Sequence, residues 1–443
     1  MLEVYKAKWI LPGNQQALED KALVVEEGKI VDIIDGNSIS DILGDKEYQL
    51  FSYGNSIITP GFINAHTHLQ YTDVGKVKLH DSKAIIKKIL LSLKKLFLVG
   101  YIPKEKFIGW YIEMLKNYIC WDKKTRIKSF KNGLEMSITS GTTCVAQVSR
   151  EKEFVEILNS SPIKSYIFIE LFSDEKKSNK KAFRKLRKQI RRFIERRNNN
   201  TYFGLEPNAI YSVHSRFWEV LSKFSQKHNV LMQTCLGESI EEVEWLKKGS
   251  SDIDKLYKFI DFTNMRPSLE NKTPVEYLNA LKVLNSNLIA VHVNQLFDEE
   301  LEMLASKGVS VVHCPRSNQK LHKKTVNIFK LLKFFPEKSA IATDSLASND
   351  DLSLLNEVRY IKKDKDIDTL KLLDMITINP AKMLRLDNLI GSLDKGKDAD
   401  FLVFKLDEGK TYKDLFEKSH PDYVFVQDGS FQTGLCKFCL HPV

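Results

Sequence analysis

The chain has 443 residues, 43% hydrophobic and 28% charged, with only 20 glycines and 12 prolines. That composition argues against wholesale disorder, and the length suits one large α/β barrel with an appendage better than one ordinary small domain. The net charge of +10 raises the question of a polyanionic partner, which the distribution of the charge has to answer.

From Met1 to about Ile57 the pattern is that of strands. "LEVYKAKWIL" alternates in part, and "ALVVEEGKIVDII" predicts a hairpin turning near Glu27-Gly28. The first residues carry no basic segment followed by an uninterrupted apolar run, and no apolar stretch approaches the roughly 18 residues of a membrane span. A soluble cytoplasmic protein with no membrane partner is expected. Next come eight short apolar runs, each followed by enough residues for a helix: "SIITPGFINAH", "TTCVAQV", "SYIFIELF", "TYFGLEPNAIYSV", "VLMQTCLGE", "LIAVHVNQ", "VSVVHCP" and "SAIATDS". Strand and helix alternating eight times predict a (β/α)8 TIM-like barrel over residues 58–387. "DADFLVFKL" and "DYVFVQDGSF", with a turn at Asp428-Gly429, return to strands. Residues 1–57 and 388–443 are therefore expected to combine into one small β-sandwich domain beside the barrel.

The densest basic run, Lys176 to Arg197, carries Phe183, Leu186, Ile190, Phe193 and Ile194 at helical spacing. It reads as an amphipathic helix with a solvated basic face, so nucleic acid is not expected as a partner, and a polyanion-binding face is the competing reading. Six cysteines (Cys120, Cys144, Cys235, Cys314, Cys436 and Cys439) show no disulfide framework, which fits a reducing compartment. Cys436, Cys439 and His441 lack a fourth ligand and are read as part of a tail.

In such barrels functional groups sit at the C-terminal ends of strands. His66, His68, Thr142, Thr143, Glu170, Asn208, Cys235, Glu238, His292, His313 and Asp344 collect at the expected ends. Two residues apart in an extended segment, His66 and His68 project to one face and can share a metal. Asp344 offers a hard carboxylate that can complete a metal site and accept a proton from water. Glu238, in "CLGES", suits proton transfer, although a helix N-cap or surface acid is its plain alternative. His292 reads as a group to steady a reaction intermediate, or as a hydrogen-bonded barrel histidine.

"TPGFINAHTHL", "GTTCVAQV", "VVHCPRSN", "ATDSLASNDDLSLLNEVR" and "GSLDKGKDADFLVF" together resemble the amidohydrolase superfamily, in its cytosine/adenosine deaminase and chlorohydrolase-like branch. The resemblance covers nearly the whole chain. Within the branch, "SYIFIELF" and "VLMQTCLGESIEEVEWL" look most like the aminofutalosine deaminases of the futalosine route to menaquinone. The resemblance implies a metal held by His66, His68, the position of Cys235 and Asp344, with Glu238 as proton shuttle and His292 as the sixth-strand histidine. It implies one divalent ion, Zn2+ or Fe2+, because the fourth-strand stretch has no lysine to bridge a second. The implied reaction is hydrolytic deamination of a 6-aminopurine nucleoside, with 6-amino-6-deoxyfutalosine the best single candidate. Glu170 and Asn208 are the candidate substrate contacts.

Two stretches depart from the family pattern, one at Cys235 and one at Asn208 and Ile210. Cys235 stands where a histidine is expected, and "NAIYSV" replaces the usual H-A-P-Y-S-V, so Asn208 stands where a histidine would touch the substrate. A catalytically silent relative that binds a ligand or partner, and another deaminase or chlorohydrolase-type hydrolase, therefore remain competing readings. A homodimer is allowed, and the number of chains stays open.

Overall fold

The computed structural model describes residues 1–77, 82–172, 184, 187–188, 190–191, 195, 198, 200–262, 271–363, 365–426 and 429–432. Much of the 176–197 basic run, Asp428 of the C-terminal turn, and Cys436, Cys439 and His441 lie outside the described residues.

Five strands open the chain: β1 (Leu2–Ile10), β2 (Leu18–Glu26), β3 (Lys29–Asp35), β4 (Tyr48–Ser52) and β5 (Ser56–Pro60). The hairpin between β2 and β3 turns on Glu27 and Gly28, both with positive φ (49° and 69°), the twist that a two-residue turn needs to match right-handed strands. Eight strands follow: β6 (Phe62–Thr67), β7 (Thr142–Ser149), β8 (Lys164–Glu170), β9 (Thr201–Glu206), β10 (Met232–Leu236), β11 (Leu288–His292), β12 (Ser310–His313) and β13 (Ser339–Ile341). β14 (Phe401–Lys405), β15 (Tyr423–Val426) and β16 (Gly429–Gln432) are the last strands among the described residues.

The two ends pair in one mixed sheet, ordered β16-β15-β14-β5-β1-β2-β3, with β4 also on β1. β14 runs antiparallel to β5, from Phe401 opposite Pro60 to Lys405 opposite Ser56, so residues more than 300 positions apart lie on adjacent strands. Strands β6 to β13 form a second sheet in strict sequence order. All its pairings are parallel, and a bridge between Thr67 and Asp344 joins its last strand end to its first. The eight predicted runs therefore close into the expected barrel. The first of them splits at Pro60-Gly61: "SIITP" belongs to the terminal sheet and "FINAHT" to the barrel. A Cβ at Gly61 would stand 2.0 Å from Thr143 Oγ1, so the crossing from sheet to barrel leaves no room for a side chain.

Alternate strand residues, among them Ala146, Val148, Phe168, Leu231, Val291, Val312 and Ala340, make one buried cluster, closed by Leu384, Leu386 and Ile390. Neighbours of opposite parity, such as Val145, Ile167, Leu205 and Val311, pack instead in a cluster with Phe130, Leu134, Phe154 and Trp218 from the helices. Glu170, Cys235 and Asp344 continue the first parity to the strand ends, which carries polar groups to one mouth of the barrel. No helix among the described residues is long and apolar enough to cross a membrane.

Candidate functional site

His66, His68, Cys235, Glu238, His292 and Asp344 line one small chamber at the C-terminal mouth, with Glu170 and Asn208 on its wall. Each is fixed by neighbours that leave a defined atom facing inward. Gln233 donates from Nε2 to Ala65 O (3.0 Å), so its Oε1 accepts from His66 Nδ1 (2.8 Å). That assignment leaves a bare lone pair on His66 Nε2, which is buried and without a hydrogen-bond partner. Burial and then the nearby His68 ring push the His66 imidazole down to about 3, so it is neutral at physiological pH.

Asp344 is held on one side only. Its Oδ2 accepts from Ser317 Oγ and Ser348 Oγ, both at 2.7 Å. Its Oδ1 faces His66 Nε2 at 3.9 Å and His68 Nε2 at 4.0 Å. Burial alone would raise the Asp344 carboxyl, but the His68, His292 and His66 rings outweigh it and hold the group below the ordinary aspartate range. Potential ligand atoms of His66, His68 and Asp344 lie within 4.8 Å of one another, and so do those of His66, Cys235 and His292. Three donors at about 4 Å, too far apart to hydrogen-bond and too polar to be left bare, suit a cation between them.

Cys235 is the last residue but one of β10, and its backbone N–H donates to Asn208 O (2.8 Å). Burial pushes its thiol well above the usual range, and Glu238, Glu206 and Asp344 add to the effect. After Cys235 the chain turns sharply at Gly237 (φ 57°), where a Cβ would meet Leu296 at 2.4 Å. Ser239 then caps the helix Ile240–Lys248 by accepting from Glu242 N–H. Glu238 is thereby turned into the chamber, where its Oε1 lies 3.2 Å from His322 Nε2 and 3.9 Å from His292 Nε2. Burial would raise the Glu238 carboxyl; the two imidazoles, His292 first, hold it below its ordinary value instead.

His292 and Asp344 both sit at positive φ, 76° and 58°. Such strain, on the order of 1–3 kcal/mol per residue, persists only where surrounding contacts enforce it and gathers at working sites. His292 is enforced by its Nδ1 bond to Asn318 Oδ1 (2.8 Å), and Asn318 Nδ2 continues to His313 Nδ1 (3.3 Å). His313 thus stands behind the chamber, and burial pushes it down to about 3.

The remaining polar residues divide. Glu170 Oε2 meets Arg150 Nε (2.8 Å) and Oε1 accepts from Asn208 Nδ2 (3.0 Å). Both Glu170 and Arg150 line a larger cavity of about 500 Å³ beside the chamber, walled by Tyr71, Tyr111, Tyr118, Tyr211 and Tyr257. Thr142 and Thr143, expected at a strand end facing the site, open β7 at the opposite end of the barrel, because the strand runs on to Ser149. The residues that reach the cavity are Ser149, which ends that strand, and Arg150 and Glu151 just after it. His322 was not singled out from the sequence. It lies on the helix Pro315–His322 one turn beyond Asn318, and this i, i+4 spacing puts both on the face toward the chamber.

A parallel eight-stranded barrel with histidine, cysteine and carboxylate donors at its C-terminal mouth defines a metal-centred hydrolase type of site. The chain belongs to the amidohydrolase family, whose family profile matches residues 57–431; these are hydrolases acting on carbon–nitrogen bonds. It is similar to the 5-methylthioadenosine/S-adenosylhomocysteine deaminase of Thermodesulfovibrio yellowstonii, 26% identical over 421 residues spanning 91% of this chain and 85% of the relative. Among solved structures it resembles the aminofutalosine deaminase of Helicobacter pylori, with a TM-score of 0.77 and 22% identity, covering 97% of this chain and all of that one. An adenosine deaminase from Xanthomonas campestris, solved with bound zinc, has a TM-score of 0.71 and 20% identity, covering 98% of this chain and 94% of that one.

Proposed function

We propose that the protein is a metal-dependent aminohydrolase that removes the 6-amino group of a purine nucleoside, with 6-amino-6-deoxyfutalosine, on the route to menaquinone, as the favoured substrate. The observation that carries this reading is the convergence of His66 Nε2, His68 Nε2 and Asp344 Oδ1 on one point, with Cys235 and Glu238 beside it. The structural relative from Helicobacter pylori was also solved with methylthio-coformycin, which supports a nucleoside-sized ligand. The cavity of about 500 Å³ suits a molecule of that size.

His66, His68, Cys235 and Asp344 would hold one divalent ion, Zn2+ or Fe2+, for which two imidazoles, a thiolate and a carboxylate are a fitting set. The ion supplies a Lewis acid that makes water nucleophilic at neutral pH. Glu238, whose carboxyl is held below its ordinary value, takes one proton of the attacking water and delivers it to the purine nitrogen next to the amino-bearing carbon, while Asp344 Oδ1 takes the other and gives it to the departing ammonia. His292, fixed by Asn318, steadies the charge that develops at the reacting carbon. Arg150 and Glu170 from the cavity wall, and Asn208 from the chamber wall, orient the nucleoside.

The test is ammonia release by metal-replete protein from 6-amino-6-deoxyfutalosine, 5′-methylthioadenosine, S-adenosylhomocysteine and adenosine. Turnover of one or more supports the reading, and the ranking names the substrate. Release from none of them contradicts it. Cys235 and Asn208, each standing where the family has a histidine, favour one alternative, a protein that retains the pocket and binds a purine ligand without turnover; saturable binding with no ammonia would select it.

A further inference from the structure

The segment that follows β6 carries the largest apolar surface among the described residues. Nine large apolar side chains between Ile85 and Tyr101 are 42–86% exposed. Eight of them fall on the helix Ser82–Lys94 and the turn Lys95–Val99 that continues it, and Tyr101 follows directly after. Nine such side chains offer on the order of 800 Å² of apolar surface, the share that one partner contributes to a standard interface. Monomeric soluble proteins rarely leave a continuous patch of that size in water.

The arrangement is inverted relative to an ordinary surface helix, which buries its apolar face and solvates its lysines. Here several lysines bond to the body of the protein. Lys87 Nζ donates to Ile119 O (2.8 Å), Lys94 pairs with Asp261 (2.5 Å) and Lys95 with Glu113 (3.6 Å). An anionic bilayer would need those charges on the outer surface beside the apolar face. A protein surface needs them out of the way.

The face has a shape that its own copy can fill. Ile85, Ile89, Leu93 and Leu96, with Lys88 and Ser92 among them, line a shallow groove, and Ile86, Leu90 and Phe97 stand beside it at helical spacing. Ridge next to groove on one helix is self-complementary about a two-fold axis, the arrangement that closes a dimer without leaving a free sticky end.

We propose that the protein is a homodimer whose two-fold interface is the apolar face of residues 85–101. The proposal does not depend on the function assigned above. It has one consequence for the site: Leu91 and Lys94, on the inner side of the same helix, line the 500 Å³ cavity. Docking of a second copy would brace that wall.

Sedimentation equilibrium of the full chain tests it, with Leu90→Glu and Phe97→Glu on the proposed face and Phe297→Glu as an exposed apolar control elsewhere. Leu90, Phe97 and Phe297 are 60%, 77% and 60% exposed, so the fold of one chain does not require them, and circular dichroism checks that each variant is folded. The expected result is twice the chain mass for the parent and for Phe297→Glu, and a single chain mass for both face variants. A single chain mass for the parent overturns the proposal, whether the face is covered by another segment of the chain or left bare. Loss of the dimer in Phe297→Glu, or its retention in folded Leu90→Glu and Phe97→Glu, assigns the interface elsewhere and overturns it equally.

Discussion

The donor chamber and the cavity beside it share the walls of Tyr71, Tyr111, Tyr211 and Glu170, yet they are built in opposite ways. The chamber is made at strand ends: His66 on β6, His292 on β11 and Asp344 just past β13 are each fixed by one or two hydrogen-bond partners, and Cys235 lies near the end of β10. The cavity is made by side chains from helices and loops, including Leu91, Leu115, Leu256 and Phe262. Strand ends give precision, and loops give shape that can vary without disturbing the chemistry. The two regions should therefore respond differently to mutation, turnover belonging to one and substrate preference to the other.

The sharpest break between them is Glu238→Gln, which keeps the shape and removes the transferable proton. It is expected to lower kcat by ~10²–10⁴-fold with metal content unchanged; steady-state kinetics with metal analysis checks both halves. On the cavity side, Arg150→Met removes the partner of Glu170. It should raise KM roughly 10–100-fold with kcat nearly unchanged, whereas an equal fall in kcat would draw Arg150 into the chemistry.

His322 tests the join between chamber and helix. It touches Glu238 at 3.2 Å and packs on Phe107, ring centroids 4.9 Å apart. His322→Leu should cost about tenfold in kcat, and His322→Gln, which can still donate, should restore much of it. Equal losses in the two variants would mean that the ring contributes packing alone.

The smallest effect concerns the loop that carries Glu238. Glu242 Oε1 accepts from Gly237 N–H (3.0 Å), and its Oε2 is buried without a partner. Burial, against the pull of Gly237 N–H, pushes this carboxyl up to about 8, whereas an unfolded glutamate titrates at about 4.3. The folded state binds the proton more tightly, so the stabilisation is complete below about pH 4.3 and is lost as pH rises through about 8. Tm should fall over that interval, and Glu242→Gln should flatten the fall in a thermal-unfolding series.

The chamber was far more legible in the sequence than the cavity. His66 and His68 declare themselves by period-two spacing before a strand end, and Asp344, Cys235 and His292 by closing apolar runs of strand length. Thr142 and Thr143 misled because an apolar run does not state where its strand begins; the run continues to Ser149, so they sit at its start. His322 escaped because its helix had not been oriented, and only the Asn318 contact with His292 does that. The cavity tyrosines left no local signal at all, since they meet only when the helix Phe107–Ile119, the turn Ile210–Ser212 and the helix Ile253–Phe259 pack over the barrel mouth. The terminal sheet is the converse case. Its strands were readable, and the pairing of β5 with β14 follows from proximity across the fold that no local pattern records.

The four-ligand reading of the chamber rests on Cys235 serving as a ligand beside two histidines and Asp344. Metal content per chain, by elemental mass spectrometry on the parent, Cys235→His and Cys235→Ala, measures that directly. The account predicts about one zinc or iron per chain in the parent, retained with histidine and lost with alanine. A parent without stoichiometric metal, restored to one ion by Cys235→His, would contradict it and make this chain a binding protein on a hydrolase scaffold.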